Sequence, residues 1–174
     1  LAVVMRRANK RSLNMAAECL FLRAGDGTWQ GSAREMADTL RRAFNLEANE
    51  AAIRDGSGLS HSNRVTPAGM VQVLAGLAQR QDRRIFLDSL PLSGAEGRLE
   101  SRLDDSGVAG RVLAKTGYIA GVSCLSGYVL DTADEPAWAF AVLVNRIPPG
   151  NAWLAKKLQD DIARSLVNAS RPVD

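Results

Sequence analysis

The chain has 174 residues, 46% of them hydrophobic and 24% charged, with 22 basic against 19 acidic side chains and a formal net charge of +3. This is ordinary globular composition with enough apolar residue to build a core, and it excludes a disordered or low-complexity chain. No apolar run has the length of a membrane span, no basic-then-apolar leader opens the sequence, and one histidine with two distant cysteines, Cys19 and Cys124, excludes the usual zinc ligand sets.

Residues 1–8 read as the end of a helix, so the sequence is expected to be part of a longer protein, and Asn9-Lys10-Arg11 is expected to interrupt that helix. Ser12 then precedes a run in which Met15, Ala16, Cys19 and Leu20 share one helical face, which makes Ser12 a candidate N-cap and puts Asn14 in the first turn. After a loop over residues 25–31, Ser32-Ala33-Arg34-Glu35 has the form of a capping box, and Met36, Leu40, Ala43 and Phe44 follow at helical spacing. Asp55-Gly56-Ser57-Gly58-Leu59-Ser60 is a glycine-punctuated turn without the spacing of a phosphate-binding loop, and His61 lies in the polar stretch just after it as a solvated or turn-capping side chain. Thr66-Pro67 starts a helix with proline at its first position, and Met70, Leu74, Leu77 and Ala78 are its apolar side. Short elements follow: residues 86–90, a break at Pro91, and a short helix around 99–103.

From Val112 the pattern changes. Residues 112–118, 122–130 and 137–145 read as strands, and links as short as these cannot hold a crossover helix, so the three must run antiparallel. In the third, Trp138, Phe140, Val142 and Val144 alternate with Ala139, Ala141 and Leu143; both faces are apolar, which predicts a strand inside the sheet, covered on both sides. After Pro148-Pro149-Gly150, Leu154, Leu158, Ile162 and Leu166 mark the face by which a last helix should pack on the sheet. The fold class is α/β of the α+β type, an antiparallel sheet flanked by helices.

The first of these strands carries Lys115-Thr116-Gly117. Neighbouring side chains of an extended chain point to opposite faces, so Lys115 and Thr116 meet one ligand only along the strand's edge, which Gly117 leaves bare. A peptide could add itself there by backbone hydrogen bonds while the ammonium and hydroxyl hold an anionic end group. The plain alternative is a surface lysine beside a turn glycine. The basic pairs Arg6-Arg7, Lys10-Arg11, Arg41-Arg42 and Arg83-Arg84 read as solvated helix faces; without interleaved aromatics or a known motif, a nucleic-acid partner is the remote alternative.

Ser12-Leu13-Asn14 and Lys115-Thr116-Gly117 match the second and third signature motifs of the penicillin-recognising serine enzymes, whose first is Ser-x-x-Lys. Together with Asp55-Gly56-Ser57-Gly58-Leu59-Ser60 and Ser89-Leu90-Pro91-Leu92-Ser93-Gly94, they make the chain resemble the D-alanyl-D-alanine carboxypeptidase/endopeptidase family, the class C low-molecular-mass penicillin-binding proteins. The resemblance runs from about residue 1 to 146. It implies a β-lactamase-like fold, incomplete here, with residues 1–174 as the C-terminal portion of a single D,D-peptidase domain. It also implies roles. Ser12 would relay a proton between a catalytic lysine and the leaving amine and would accept a hydrogen bond from Lys115, which supplies positive potential. Asn14 would hold the substrate's amide carbonyl and orient the catalytic lysine. Thr116 would bind the terminal carboxylate beside Gly117, and the Tyr118 N–H would form half of an oxyanion hole.

The implied partners are peptidoglycan peptides ending in D-Ala-D-Ala and β-lactam antibiotics, in a periplasmic or other extracytoplasmic location compatible with peripheral membrane association, with no cofactor and no metal. Three departures stand out. Leu13 replaces the common aspartate, and Tyr118 replaces the usual threonine or serine, which keeps the amide donor and puts a side-chain hydroxyl contact to the carboxylate in doubt. No serine stands three residues before Lys10, Lys115, Lys156 or Lys157, so the nucleophile and its lysine lie outside this chain. The chain alone is expected to form no acyl-enzyme. The alternative is a catalytically inactive peptidoglycan-binding or scaffold relative.

Overall fold

The computed structural model describes residues 1–170, in two compact units, residues 1–89 and 90–170. The first unit is mainly helical: α1 (Ala2–Arg11), α2 (Asn14–Ala24), α3 (Trp29–Phe44), α4 (Pro67–Ala78) and α5 (Arg83–Leu87), with a small antiparallel pair formed by β1 (Ala51–Ala52) and β2 (Arg64–Val65). Asn9-Lys10-Arg11 does not interrupt α1, as expected above, but forms its last turn. Ser12 is not an N-cap either: it is the left-handed C-cap of α1, and Leu13 precedes α2 without a side-chain cap. The expected α2 face is also displaced, since Met15 and Cys19 are exposed and Phe21 is the buried residue.

The capping box at Ser32 is absent because α3 begins a turn earlier. Thr28 caps it by accepting from the Gly31 N–H at 3.0 Å, and Asp26 Oδ1 accepts from the Thr28 hydroxyl at 2.7 Å. A side chain at Gly31 would fall on the Asp26 carboxylate, at 1.9–2.0 Å from its oxygens, so the cap geometry requires the glycine. Ser32, one turn in, is buried and its hydroxyl has no hydrogen-bond partner among the described residues. An unsatisfied buried hydroxyl costs free energy, and alanine is the better helix former. Ser32→Ala should therefore raise the unfolding free energy, by about 1 kcal/mol; a loss in a urea titration would show that the hydroxyl has a partner. The start of α4 is as expected, with Thr66 accepting from the Gly69 N–H at 2.9 Å and Pro67 at the first position.

The second unit holds β3 (Val112–Ile119), β4 (Val122–Leu130) and β5 (Pro136–Asn145) as an antiparallel sheet in that order, with α6 (Ala152–Ala169) against one face. The meander matches the sequence expectation within a residue or two at each end. β5 does not lie inside the sheet: β4 is the central strand and β5 borders it, with Phe140 buried and Trp138 47% exposed. The helix face is also one residue from the one expected. Leu154 and Leu158 are about half exposed, and Ala155, Gln159, Ala163 and Val167 are the buried stripe. Those small residues let α6 approach the sheet closely, and Ala163 and Val167 join Leu99, Leu103, Val112, Ala114, Leu125, Val129 and Phe140 in one core cluster.

Candidate active site

The stretches that resemble the family's motifs each have a local physical reason. In the first unit, Asn14 opens α2 and the glycine turn presses against the same helix: a Cβ on Gly56 would lie 2.5 Å from the Ala17 carbonyl oxygen and from Phe21 Cβ. That contact lets Glu18 accept from the N–H groups of Gly56 and Ser57, at 3.2 and 3.0 Å, while Asp55 accepts from Gly58 and Ser60 at 2.7 Å each. Burial works against the charge of Glu18, but hydrogen bonds from Ser57, Gly56 and Trp29 outweigh it and hold the carboxyl below its usual range. The turn is thereby locked to α2, the helix whose first residue is Asn14. Ser12 is half-buried and hydrogen-bonded through its backbone N–H to the Ala8 carbonyl, and the positive φ of 51° directs the chain sharply from α1 into α2. At the end of this unit Asn9 Nδ2 donates to Ser89 Oγ at 2.8 Å, and Ser89 donates to the Phe86 carbonyl at 2.6 Å.

In the second unit the edge of β3 is half covered. Ser93 N–H donates to the Val112 carbonyl, Ala114 N–H donates to the Pro91 carbonyl, and Leu92 bridges to Leu113. Buried Ser93 reinforces the cover by donating to the Val108 carbonyl and accepting from the Val112 N–H, both at 3.2 Å. Beyond Ala114 no strand pairs with this edge among the described residues. In an antiparallel sheet the N–H and C=O of one residue point the same way and alternate along the strand. Since Val112 and Ala114 turn theirs outward, Thr116 and Tyr118 do so too, and the open edge offers the two N–H groups and the Tyr118 carbonyl to an extended peptide, while the Thr116 carbonyl accepts from Lys115.

Lys115 stands at that edge: its ammonium donates to the outward carbonyl of Thr116 at 2.7 Å. Burial, and then the Arg98 cation of the Gly97–Leu99 turn, lower its pKa from the ordinary lysine value. Gly117 is exposed, and the nearest atom to a Cβ added there would be Cys124 Cβ at 3.4 Å, so the backbone itself does not demand the glycine. Tyr118 is 63% exposed, with the Lys156 ammonium 5.9 Å from its ring centre. Cys19 and Cys124 are both reduced, and burial pushes the Cys124 thiol up.

Of the six residues singled out from sequence, Lys115, Thr116, Gly117 and Tyr118 therefore line one open strand edge in the second unit, and Ser12 and Asn14 lie at the α1–α2 junction of the first. Reading the sequence missed Arg98, the cation near Lys115, and Gln159, whose buried carboxamide on α6 donates to Ser123 Oγ and accepts from Arg102. For Gln159 a signal existed, a carboxamide at helical spacing among the small residues Ala155 and Ala163.

The model of one protein family, described as the D-Ala-D-Ala carboxypeptidase 3 (S13) family, matches residues 1–168. The D-alanyl-D-alanine carboxypeptidase DacB of Haemophilus influenzae is 27% identical over 155 residues, covering 85% of this chain and 32% of the relative. A D-alanyl-D-alanine carboxypeptidase of an Actinomadura species is 34% identical over 145 residues, covering 80% of this chain and 26% of the relative. Among solved structures, penicillin binding protein 4 (dacB) from Haemophilus influenzae superposes with a TM-score of 0.83 at 24% identity, over 95% of this chain and 39% of that one. The chain thus spans about a third of the length of the curated relatives it matches, and the fold is that of the penicillin-recognising proteins.

Proposed function

We propose, from the premise that the chain belongs to the D-Ala-D-Ala carboxypeptidase 3 (S13) family, that it supplies part of the active site of a serine D,D-peptidase acting on peptidoglycan stem peptides. The single observation that carries this is the open half of β3, where outward-turned Thr116 and Tyr118 backbone groups lie beside a cationic side chain. A peptide ending in D-Ala-D-Ala has what such an edge selects: an extended backbone to pair with it and a terminal carboxylate for Lys115 and Thr116 to hold.

In this reading the chain is the C-terminal portion of one D,D-peptidase domain, and the attacking serine belongs to a Ser-x-x-Lys segment outside these residues. The serine gives its proton to the lysine of that segment as its oxygen bonds to the carbonyl carbon of the penultimate alanine, the Tyr118 N–H stabilises the resulting oxyanion, and the C–N bond breaks as Ser12 relays that proton from the lysine to the leaving amine. Asn14 holds the amide carbonyl of the acyl side. A β-lactam carries the same carbonyl and carboxylate, so it would acylate the same serine. The substrate places the enzyme outside the cytoplasm; no helix among the described residues is long and apolar enough to cross a membrane.

Fluorescent penicillin tests this directly. The complete polypeptide should carry a Ser-x-x-Lys and be covalently labelled, and labelling should be lost on replacing that serine and strongly reduced in Ser12→Ala. A complete sequence without the motif, or a folded protein that is never labelled, would favour the inactive peptidoglycan-binding relative instead.

A further inference from the structure

Gln159 is fully buried in the stripe that α6 turns to the sheet. A carboxamide there is costly unless both of its ends are bonded, and both are. Its Nε2 donates to Ser123 Oγ at 3.1 Å, and its Oε1 accepts from Arg102 Nη2 at 3.1 Å. Arg102 in turn pairs with Asp160 at 2.7 Å, with both side chains about 15% exposed, and donates to the Lys156 carbonyl at 3.3 Å. The chain of bonds thus starts at a well-buried ion pair between Arg102 and Asp160 of α6 and ends on β4.

Its end point lies next to the site. Ser123 is 2% exposed and is the register partner of Tyr118. Because Tyr118 turns its own N–H and C=O outward, backbone bonds of Gly117 and Ile119 hold the strand to β4, and at Tyr118 side chains alone fix the distance between the strands. The two that do so from α6 are Gln159, through Ser123, and Lys156, over the Tyr118 ring. Stability gives no reason for the carboxamide, since apolar side chains of similar volume are often as stable as a buried polar network.

We propose that Gln159 is a positioning residue for acyl transfer: by anchoring Ser123 opposite Tyr118 it fixes the direction in which the Tyr118 N–H faces the open edge of β3. This rests on the reading of that N–H as an oxyanion donor. A donor misdirected by about 1 Å can cost as much as 100-fold in rate while leaving ground-state binding intact.

The test compares Gln159→Met, which keeps the volume and removes both bonds, with Gln159→Glu, which accepts from Ser123 Oγ and from Arg102, in the complete polypeptide. For the Met variant the acylation rate constant at saturating fluorescent penicillin should fall about 10- to 100-fold, the half-saturating concentration should hardly change, and the amides of Gly117 and Ile119 should exchange faster. The Glu variant should recover most of both. A folded Met variant with wild-type acylation and exchange overturns the proposal, as does a loss that follows global stability and is not recovered by glutamate. If the wild-type polypeptide is not labelled at all, the peptidase reading fails, and the exchange measurement still decides whether Gln159 anchors this strand: unchanged exchange overturns it.

Discussion

Lys115→Met in the complete polypeptide should reduce acylation by fluorescent penicillin by two orders of magnitude or more, and the variant should be at least as stable as the parent at neutral pH. The first effect follows from what the ammonium supplies at the edge of β3. In the proposed peptidase it would neutralise the substrate carboxylate and add positive potential where an oxyanion develops, a contribution typically worth about 3 kcal/mol of barrier. The second follows from its environment. Burial and the Arg98 cation both lower the lysine's pKa, so the charged form is disfavoured in the folded state relative to the unfolded one. Between the lowered folded value and the ordinary 10.5 of the unfolded chain, the unfolded state binds more protons, and the unfolding free energy must rise with pH. The penalty is therefore fully present below the folded pKa and fades as the pH rises toward 10.5. Chemical denaturation across that window should show the parent gaining stability on the Met variant with increasing pH. A Met variant that acylates normally would remove Lys115 from the site, and a stability difference independent of pH would contradict its strained ionisation.

How far the sequence carried depended on the kind of order involved. Alternation over residues 112–145, with links too short for a helix, marked three antiparallel strands because period-two patterning and loop length are local properties. Strand order is not local. Both faces of β5 are apolar, which argued for a central place, yet β4 holds it and Trp138 stays half exposed. Caps went wrong for a related reason. Ser12 and Ser32 both stand where a cap could form, but Asp26 and Thr28 close α3 a turn earlier, and the left-handed conformation of Ser12 ends α1 instead of starting α2. On α6 the bulky leucines drew the apolar face to residues 154 and 158, whereas close packing selected the small residues one position on, with Gln159 among them. The site itself was partly legible. Lys115-Thr116-Gly117 could be placed on a strand by the local pattern, and at an edge only on the condition that both side chains meet one ligand, but that residues 91–93 cover the first half of that edge and leave the second half open depends on a pairing across some twenty residues.

Gly127→Ala should be the most damaging single methyl group in the second unit. Gly127 is paired with Ala114 in the β3–β4 register, one residue before Lys115. A Cβ at this position would lie 2.1 Å from the Leu113 carbonyl oxygen, 2.6 Å from Ala114 Cα and 2.8 Å from Ala114 Cβ. Two of these three atoms belong to the backbone of a strand that is pinned on its other edge by Pro91 and Ser93, so no side-chain rotation relieves the contact. β3 must move away from β4, which opens the core at Val112, Ala114 and Val129, all of them fully buried. Overpacking of a core ordinarily costs 1–3 kcal/mol, and a collision with backbone belongs at or above the top of that range; a loss of about 3 kcal/mol or more is expected in denaturant titrations. Ala114→Gly in the same background removes only the Cβ contact and leaves the carbonyl at 2.1 Å, so it should restore little of the loss. Acylation should fall with stability, because the strand that shifts is the one bearing Lys115, Thr116 and Tyr118. A Gly127→Ala protein with parental stability would mean that β3 and β4 pair in another register, and every outward-facing group assigned to the edge would change places with its neighbour.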